Sequence, residues 1–324
     1  MSEYAKYISR CLQLSRLGAY FVAPNPMVGA VLVHGEGATA KIIGEGWHKQ
    51  FGGPHAEVNC FASVKPKDES LVPESTLYVS LEPCSHFGKT PPCADLIVKK
   101  GVRKCVVGML DPNPQVAGKG IQRLRNNGIE VVTGIMEAEC RELNKRFLCL
   151  HEQHRPYVIL KWAETADGFL DYKRPIPSEG QLTKEGPLVI STPVTKCFVH
   201  RMRAENMAIM VGTNTALLDT PKLTTTHWAG RNPIRILLDR HHRVPANSKI
   251  FSDEAQTIVY SENTDWKYIL DDLAGRGIHS VVVEGGAQLL NHIIASDIYD
   301  EVHVEKGTIK IGDGVPAPKG YRAN

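Results

Sequence analysis

Apolar positions in the first half of the chain switch repeatedly between two periods. Tyr4, Ile8, Cys11 and Leu12 recur at the spacing of one helix face. Residues 27–33 form an unbroken apolar run of strand length, and 77–81 reads as a second strand. A short helix is expected from about Ala56. Pro91-Pro92 opens a helix over 94–100 and Gly101 stops it, with proline just inside the start and glycine just past the end. A strand over 102–108, a helix over 121–126, a strand over 129–132 and a last helix over about 137–148 complete the pattern. Strands alternating with helices predict a three-layer α/β sandwich.

The polar stretch His151-Glu152-Gln153-His154-Arg155-Pro156 reads as a linker, which divides the chain into domains 1–149 and 150–324. The second half restarts with a strand over 157–162. A helix over 193–204 and a strand over 208–211 follow, then strands over 234–238, 257–260 and 278–283, and helices near 265–275 and 286–295. This predicts a second α/β domain. Residues 171–188, with Pro175, Pro177, Gly180, Gly186 and Pro187, read as a long loop.

A length of 324 residues suits two domains at roughly 100–200 residues each. Apolar residues are 42% and the net charge is +3, which excludes a disordered chain, a basic nucleic-acid arm and an acidic tail. No apolar stretch nears the roughly 20 residues that cross a bilayer. Residues 1–20 carry Glu3, Lys6, Arg10 and Arg16 without an apolar core, so no secretory signal is expected. Eight cysteines scattered along the chain predict reduced thiols and a cytoplasmic protein.

The candidate chemistry lies in the first domain. His55-Ala56-Glu57 starts one helix, Pro83-Cys84 ends a strand and Cys93 opens the next helix. One imidazole and two thiolates make three zinc ligands, and catalytic zinc sites leave the fourth position to water, whose pKa falls to about 7. Helix starts favour a thiolate. Glu57 can stand beside that water and move protons without binding metal. His-x-Glu with Pro-Cys and a later Cys resembles the signature of zinc deaminases, although the second cysteine follows after nine positions rather than three. His86 would supply a fourth ligand if the site were a closed structural one.

The stretches Pro24-Asn25-Pro26-Met27-Val28-Gly29, Gly46-Trp47-His48, Gly53-Pro54-His55-Ala56-Glu57, the run from Pro83-Cys84 to Pro92-Cys93, and Asp111-Pro112-Asn113-Pro114 together resemble the deaminase half of the bifunctional riboflavin biosynthesis family. The long insert between the cysteines is that family's mark. The resemblance implies a cytidine-deaminase-like fold, with Zn2+ held by His55, Cys84 and Cys93 and with Glu57 as the proton shuttle. The substrate it implies is a phosphorylated diaminopyrimidinone, held by Asn25, His48, Lys89, Asp111 and Asn113.

The second domain has no Gly-x-Gly-x-x-Gly. Its strand runs from Val281 through Glu284-Gly285-Gly286 into a helix, a start that suits an anionic group. The segments from Lys161 to Gly168, from Arg203 to Glu205, from Val211 to Thr215 and from Asp219 to Thr224 resemble the reductase half of the same family. That implies a dihydrofolate-reductase-like fold with NADPH as hydride donor. Arg203, Leu223 and Glu284 would meet substrate, while Ala163, Thr215, Asp219, Gly285, Gly286, Ala287 and Gln288 would meet cofactor. The sequence departs from the family at Val189, where tryptophan is usual, at Thr226, where arginine is usual, and in stopping soon after Gly314. The resemblance also implies a homo-oligomer, a dimer or larger, while the near-neutral charge without a Lys/Arg run and the lack of a long apolar stretch argue against nucleic acid and membrane as partners. Two rival readings stay open, a zinc deaminase acting on nucleic acid and a deaminase whose reductase-like half no longer reduces.

Overall fold

The computed structural model describes residues 2–85, 91–112, 117–177, 181, 183 and 186–322. The chain forms two compact units, Met1–Gln153 and His154–Asn324. The first unit runs α1 (Glu3–Ser15), β1 (Gly29–His34), β2 (Lys41–Trp47), α2 (Ala56–Ala62), β3 (Thr76–Leu81), α3 (Cys93–Lys100), β4 (Lys104–Met109), α4 (Lys119–Asn126), β5 (Glu130–Thr133), α5 (Glu137–Leu143) and α6 (Lys145–Gln153). Its sheet order is β2-β1-β3-β4-β5. β1 pairs antiparallel with β2 and β3, and the β3, β4 and β5 pairings are parallel.

The continuous apolar runs follow from burial on both faces. Ala30, Leu32, Leu77, Val79, Cys105 and Val107 meet α2, α3 and α4 through Ala56, Cys60, Ala94, Ile97 and Leu124. The alternate residues Val31, Val33, Tyr78 and Val106 meet α1, α5 and α6 through Ile8, Cys11, Cys140 and Leu148. Side-chain alternation along a strand therefore supplies two cores from one sheet, and the three layers expected from the sequence are present.

The second unit runs β6 (Tyr157–Glu164), β7 (Phe169–Asp171), α7 (Pro193–Glu205), β8 (Ala208–Gly212), α8 (Thr213–Asp219), β9 (Ile234–Leu238), β10 (Thr257–Tyr260), α9 (Trp266–Gly275), β11 (Ser280–Val283), α10 (Ala287–Ala295), β12 (Glu301–Lys306) and β13 (Val315–Pro316). Six strands in the order β10-β9-β8-β11-β6-β12 make a sheet whose pairings are all parallel. β7 and β13 form a separate antiparallel ribbon.

Three differences from the sequence pattern have physical causes. The helix expected over 137–148 is two helices, because Asn144 leaves helical geometry at φ −106°, ψ 18°. The first three residues of the expected linker, His151-Glu152-Gln153, close α6, and the helix ends only where His154 takes a left-handed φ of 56°. Strand β2 has no alternation to reveal it, because Gly44 and Gly46 replace side chains on the face that α2 covers. A Cβ on Gly46 would lie 2.2 Å from the Cys60 nitrogen and 2.5 Å from the Ala56 carbonyl oxygen.

That contact seats the helix carrying His55 and Glu57. Gly46→Ala should therefore destabilise the first unit by about 1–3 kcal/mol, the range for overpacking a tight contact. Urea denaturation followed by a probe in that unit measures it. An unchanged midpoint would show that α2 does not depend on the close approach.

Candidate active site

In the first unit, three chain segments end at one point. His55 is the N-cap of α2 in extended geometry (φ −70°, ψ 169°), Cys93 is the first residue of α3, and Cys84 follows the exit of β3. His55 Nδ1 lies 3.6 Å from Cys84 Sγ and 3.3 Å from Cys93 Sγ. The ligand atoms of all three residues lie within 4.8 Å of one another. The Cys93 backbone N–H donates to Cys84 Sγ at 3.3 Å. The Cys93 thiol, followed by His55 and that N–H, pulls Cys84 down to about 4 against its burial. The same pairing pushes Cys93 up. The hydrogen bond to Cys84 raises His55 against its burial. One thiolate is thus stabilised, next to an imidazole and a second sulfur. This donor chemistry fits zinc.

Glu57 lies in the first turn of α2, 3% exposed. Burial pushes its carboxyl upward and Cys84 adds to the rise, while His55 opposes it. His48 is also 3% exposed. Its Nδ1 lies 3.0 Å from the Pro54 carbonyl and its Nε2 lies 3.1 Å from the Asn25 amide nitrogen. These partners fit a neutral ring that donates from Nδ1 and accepts at Nε2, and burial lowers its pKa. The rings of His48 and His55 meet edge to face with centroids 5.4 Å apart. The fold therefore gathers Asn25, His48, His55, Glu57, Cys84 and Cys93. Lys89, Asn113 and His86 lie outside the described residues.

Asp111 is tied in through its main chain to Glu82, which the sequence pattern did not single out. Glu82 is 3% exposed. Its Oε2 accepts from the backbone N–H of Asp111 at 3.3 Å and of Gly118 at 3.0 Å. Its Oε1 accepts from Gly120 at 3.0 Å and Ile121 at 3.3 Å. A carboxylate at a strand end disappears in a hydropathy pattern. Only its place beside Pro83-Cys84 could have drawn attention.

In the second unit, the C-terminal ends of β8 and β11 lie side by side, and the Glu284 N–H donates to the Met210 carbonyl at 3.0 Å. Crevices at such strand ends are the usual ligand sites of parallel sheets. Gly285 and Gly286 lead into α10, and a Cβ on Gly285 would lie 2.9 Å from Thr215 Oγ1. Gly286 has a left-handed φ of 53°. Ala287 and Gln288 open α10, where first-turn amides lack intrahelical acceptors. Paired glycines before exposed amides fit the phosphates of a dinucleotide.

Arg203 and Glu284 face each other. Arg203 Nη2 and Nε donate to the two Glu284 oxygens at 2.7 and 3.1 Å, and Nη1 donates to the Thr224 carbonyl at 3.0 Å. Burial works against the Glu284 charge, but Arg203 outweighs it and holds the carboxyl below its ordinary range. Asp219 turns to Arg174, which also binds Asp171. Leu223 is buried with φ 56°, and Ala163 lies on β6 opposite Glu305 of β12. Val189 is 68% exposed, and the Thr226 N–H donates to His200 Nδ1 at 3.0 Å.

Residues 156–322 match the profile of the RibD C-terminal domain, and residues 1–109 match the cytidine and deoxycytidylate deaminase zinc-binding region. A riboflavin biosynthesis protein RibD from Aquifex aeolicus is 37% identical over 331 residues, covering 95% of this chain and 88% of that protein. One from Bacillus amyloliquefaciens is 36% identical, covering 98% of this chain and 87% of its own length. A solved Thermotoga maritima structure, described as a diaminohydroxyphosphoribosylaminopyrimidine deaminase/5-amino-6-(5-phosphoribosylamino)uracil reductase, is similar with a TM-score of 0.85 at 36% identity. It covers 99% of this chain and 91% of that one.

The buried pair gives a pH prediction. A folded pKa below the unfolded value of about 4.3 adds stability above that value and loses it as pH falls through the folded pKa. Glu284→Gln, which strands Arg203, should cost about 3–5 kcal/mol at neutral pH. The gap from the parent should shrink below about pH 4. Urea unfolding at both pH values measures it, and an equal gap at each would show that the pair does not titrate as a unit.

Proposed function

The chain belongs to the RibD family of bifunctional riboflavin biosynthesis proteins, and on that premise we propose which residues carry its two activities. It is a zinc-dependent pyrimidine deaminase in its first unit and an NADPH-dependent reductase in its second. The substrate is a phosphorylated diaminopyrimidinone. No helix of the described residues is long and apolar enough to cross a membrane.

The observation that carries the deaminase assignment is the convergence of His55, Cys84 and Cys93 within 4.8 Å. These three would hold zinc, and three protein ligands are the number found at zinc sites that keep a position for water. Bound zinc supplies a Lewis acid that makes water nucleophilic at neutral pH. Glu57 accepts the proton of the attacking water at a carboxylate oxygen and delivers it to the departing amine nitrogen. Its burial supports this role, since a raised carboxyl pKa suits proton exchange near neutrality. His48, neutral, and Asn25 orient the pyrimidine ring, with Asp111, Asn113 and Lys89 as further substrate contacts.

In the second unit bound NADPH would supply the hydride that, together with a proton from solvent, converts the ribosyl group to ribityl. Gly285, Gly286 and the first amides of α10 at Ala287 and Gln288 receive its phosphates, with Thr215, Asp219 and Ala163 alongside. Arg203, oriented by Glu284, keeps an N–H on each terminal nitrogen for the substrate phosphate, and Leu223 lines that site. Cys11, Cys60, Cys105 and Cys140, buried thiols outside any disulfide, support a reducing, cytoplasmic setting. Val194 and Phe198, exposed one turn apart on α7, support self-association through this unit.

Glu57→Gln should lower the deamination rate by about 10²–10⁴-fold. Bound zinc and NADPH-dependent reduction of the deaminated product should be unchanged. Cys84→Ala should abolish stoichiometric zinc. Metal analysis with mass spectrometry of the products tests both. Normal deamination by the Glu57 variant, or full zinc in the Cys84 variant, would overturn the assignment.

A further inference from the structure

The break between α5 and α6 bears on the active site of the first unit. Asn144, 3% exposed, turns its side chain away from the helices. Its Oδ1 accepts from the Met27 N–H at 2.8 Å, and its Nδ2 donates to the Met27 carbonyl at 3.0 Å, across 117 residues of sequence. One amide therefore takes both main-chain groups of one residue, as a neighbouring strand would. That fixes Met27 in orientation as well as in place. Among side chains this short, only asparagine offers a donor and an acceptor on two separate atoms, as this two-point contact requires. A helix break at φ −106°, ψ 18° would be met as well by serine or aspartate, so the break alone does not call for an amide.

Met27 lies two residues after Asn25, whose amide meets His48 Nε2 at 3.1 Å. The same stretch is tied again one residue on, where the His48 N–H donates to the Val28 carbonyl at 2.9 Å. A shift of Met27 therefore moves Asn25 against the His48 ring. We propose that Asn144 is a positioning residue of the deaminase. Through Met27 it fixes the stretch 25–27 so that Asn25 and His48 bind the pyrimidine, without touching substrate itself. This rests on the reading of Asn25 and His48 as substrate contacts.

The test is a double-mutant cycle of Asn144→Asp with Asn25→Ala. Deamination KM and kcat, zinc content and affinity for the deaminated product by calorimetry are measured in each protein. Aspartate keeps the size but lacks the donor, and it sets a carboxylate oxygen against the Met27 carbonyl. Asn144→Asp should raise KM and weaken product binding about tenfold, within the range that a small misplacement produces. Zinc should stay stoichiometric and kcat within about threefold. In the Asn25→Ala background the same change should add less than about twofold, because the two act as one unit. A purely structural role would lower zinc content and kcat together and would add fully in the double variant.

Unchanged KM in zinc-loaded Asn144→Asp, or full additivity, overturns the proposal while leaving the Asn25 assignment intact if Asn25→Ala alone raises KM. Unchanged KM in Asn25→Ala overturns both. Should Asn144→Asp not fold, Asn144→Ser, which loses the two-point contact without adding charge, is judged by the same criteria.

Discussion

Two sulfurs, an imidazole and a carboxylate crowd the end of β3 in the first unit, and the cluster holds more acid than base. Desolvation penalises every charge placed there. The two thiols are pulled apart in acidity, Cys84 downward and Cys93 upward, so Cys84 is the one favoured as the anion. The backbone N–H that opens α3 and the His55 ring supply partial compensation. A divalent cation supplies the rest, and the segments that converge here make sense as a means of holding charge for it. Both helices present their starts, the ends that favour anions, and the β3 exit delivers Cys84 between them.

Much of the first unit's detail follows from keeping those segments in register. Gly44 and Gly46 let α2 lie directly on β2, so His55 and Glu57 arrive at a fixed height over the sheet edge. Glu82 gathers the backbone around Asp111 and the start of α4 onto the residue next to Pro83. Gly120 is required at that junction, since a Cβ there would lie 2.0 Å from the Pro83 carbonyl oxygen. The apolar cores on both faces of the sheet give rigidity, and the buried polar contacts set the distances.

Elements built on periodic burial were legible in the sequence. β1, β3, β4 and α3 stand within a few residues of the positions that their apolar runs and the proline and glycine punctuation indicated. Elements whose patterns serve another purpose were not. β2 gives up side chains so that a helix can approach. Edge strand β12, Glu301–Lys306, carries charged residues that blunt an open edge. Asn144 sits inside a helical pattern, where only its weak helix propensity hinted at a break. The cluster of His55, Glu57, Cys84 and Cys93 could be read because its residue types are rare in combination. Glu82 and Asn144 could not, because their partners are main-chain groups, and no pattern of side chains records those.

The second unit organises charge through buried ion pairs. Arg203 with Glu284 and Arg174 with Asp171 and Asp219 place guanidinium groups in sparingly hydrated positions, each held by carboxylates. Such pairs add little net stability, because desolvation offsets much of their attraction. Their value lies in orientation. A guanidinium already fixed by a carboxylate loses little freedom when an anionic ligand arrives, so binding meets a preformed donor. Near Arg203, His200 is pushed down to about 4, first by burial and then by Arg203 itself, which keeps that imidazole neutral. Its Nδ1 accepts from the Thr226 N–H. The main chain at Thr226 is therefore tied to a neutral histidine. Arg203 is a cation already fixed by Glu284 and the Thr224 carbonyl, and the proposed grip on a substrate phosphate draws on that geometry.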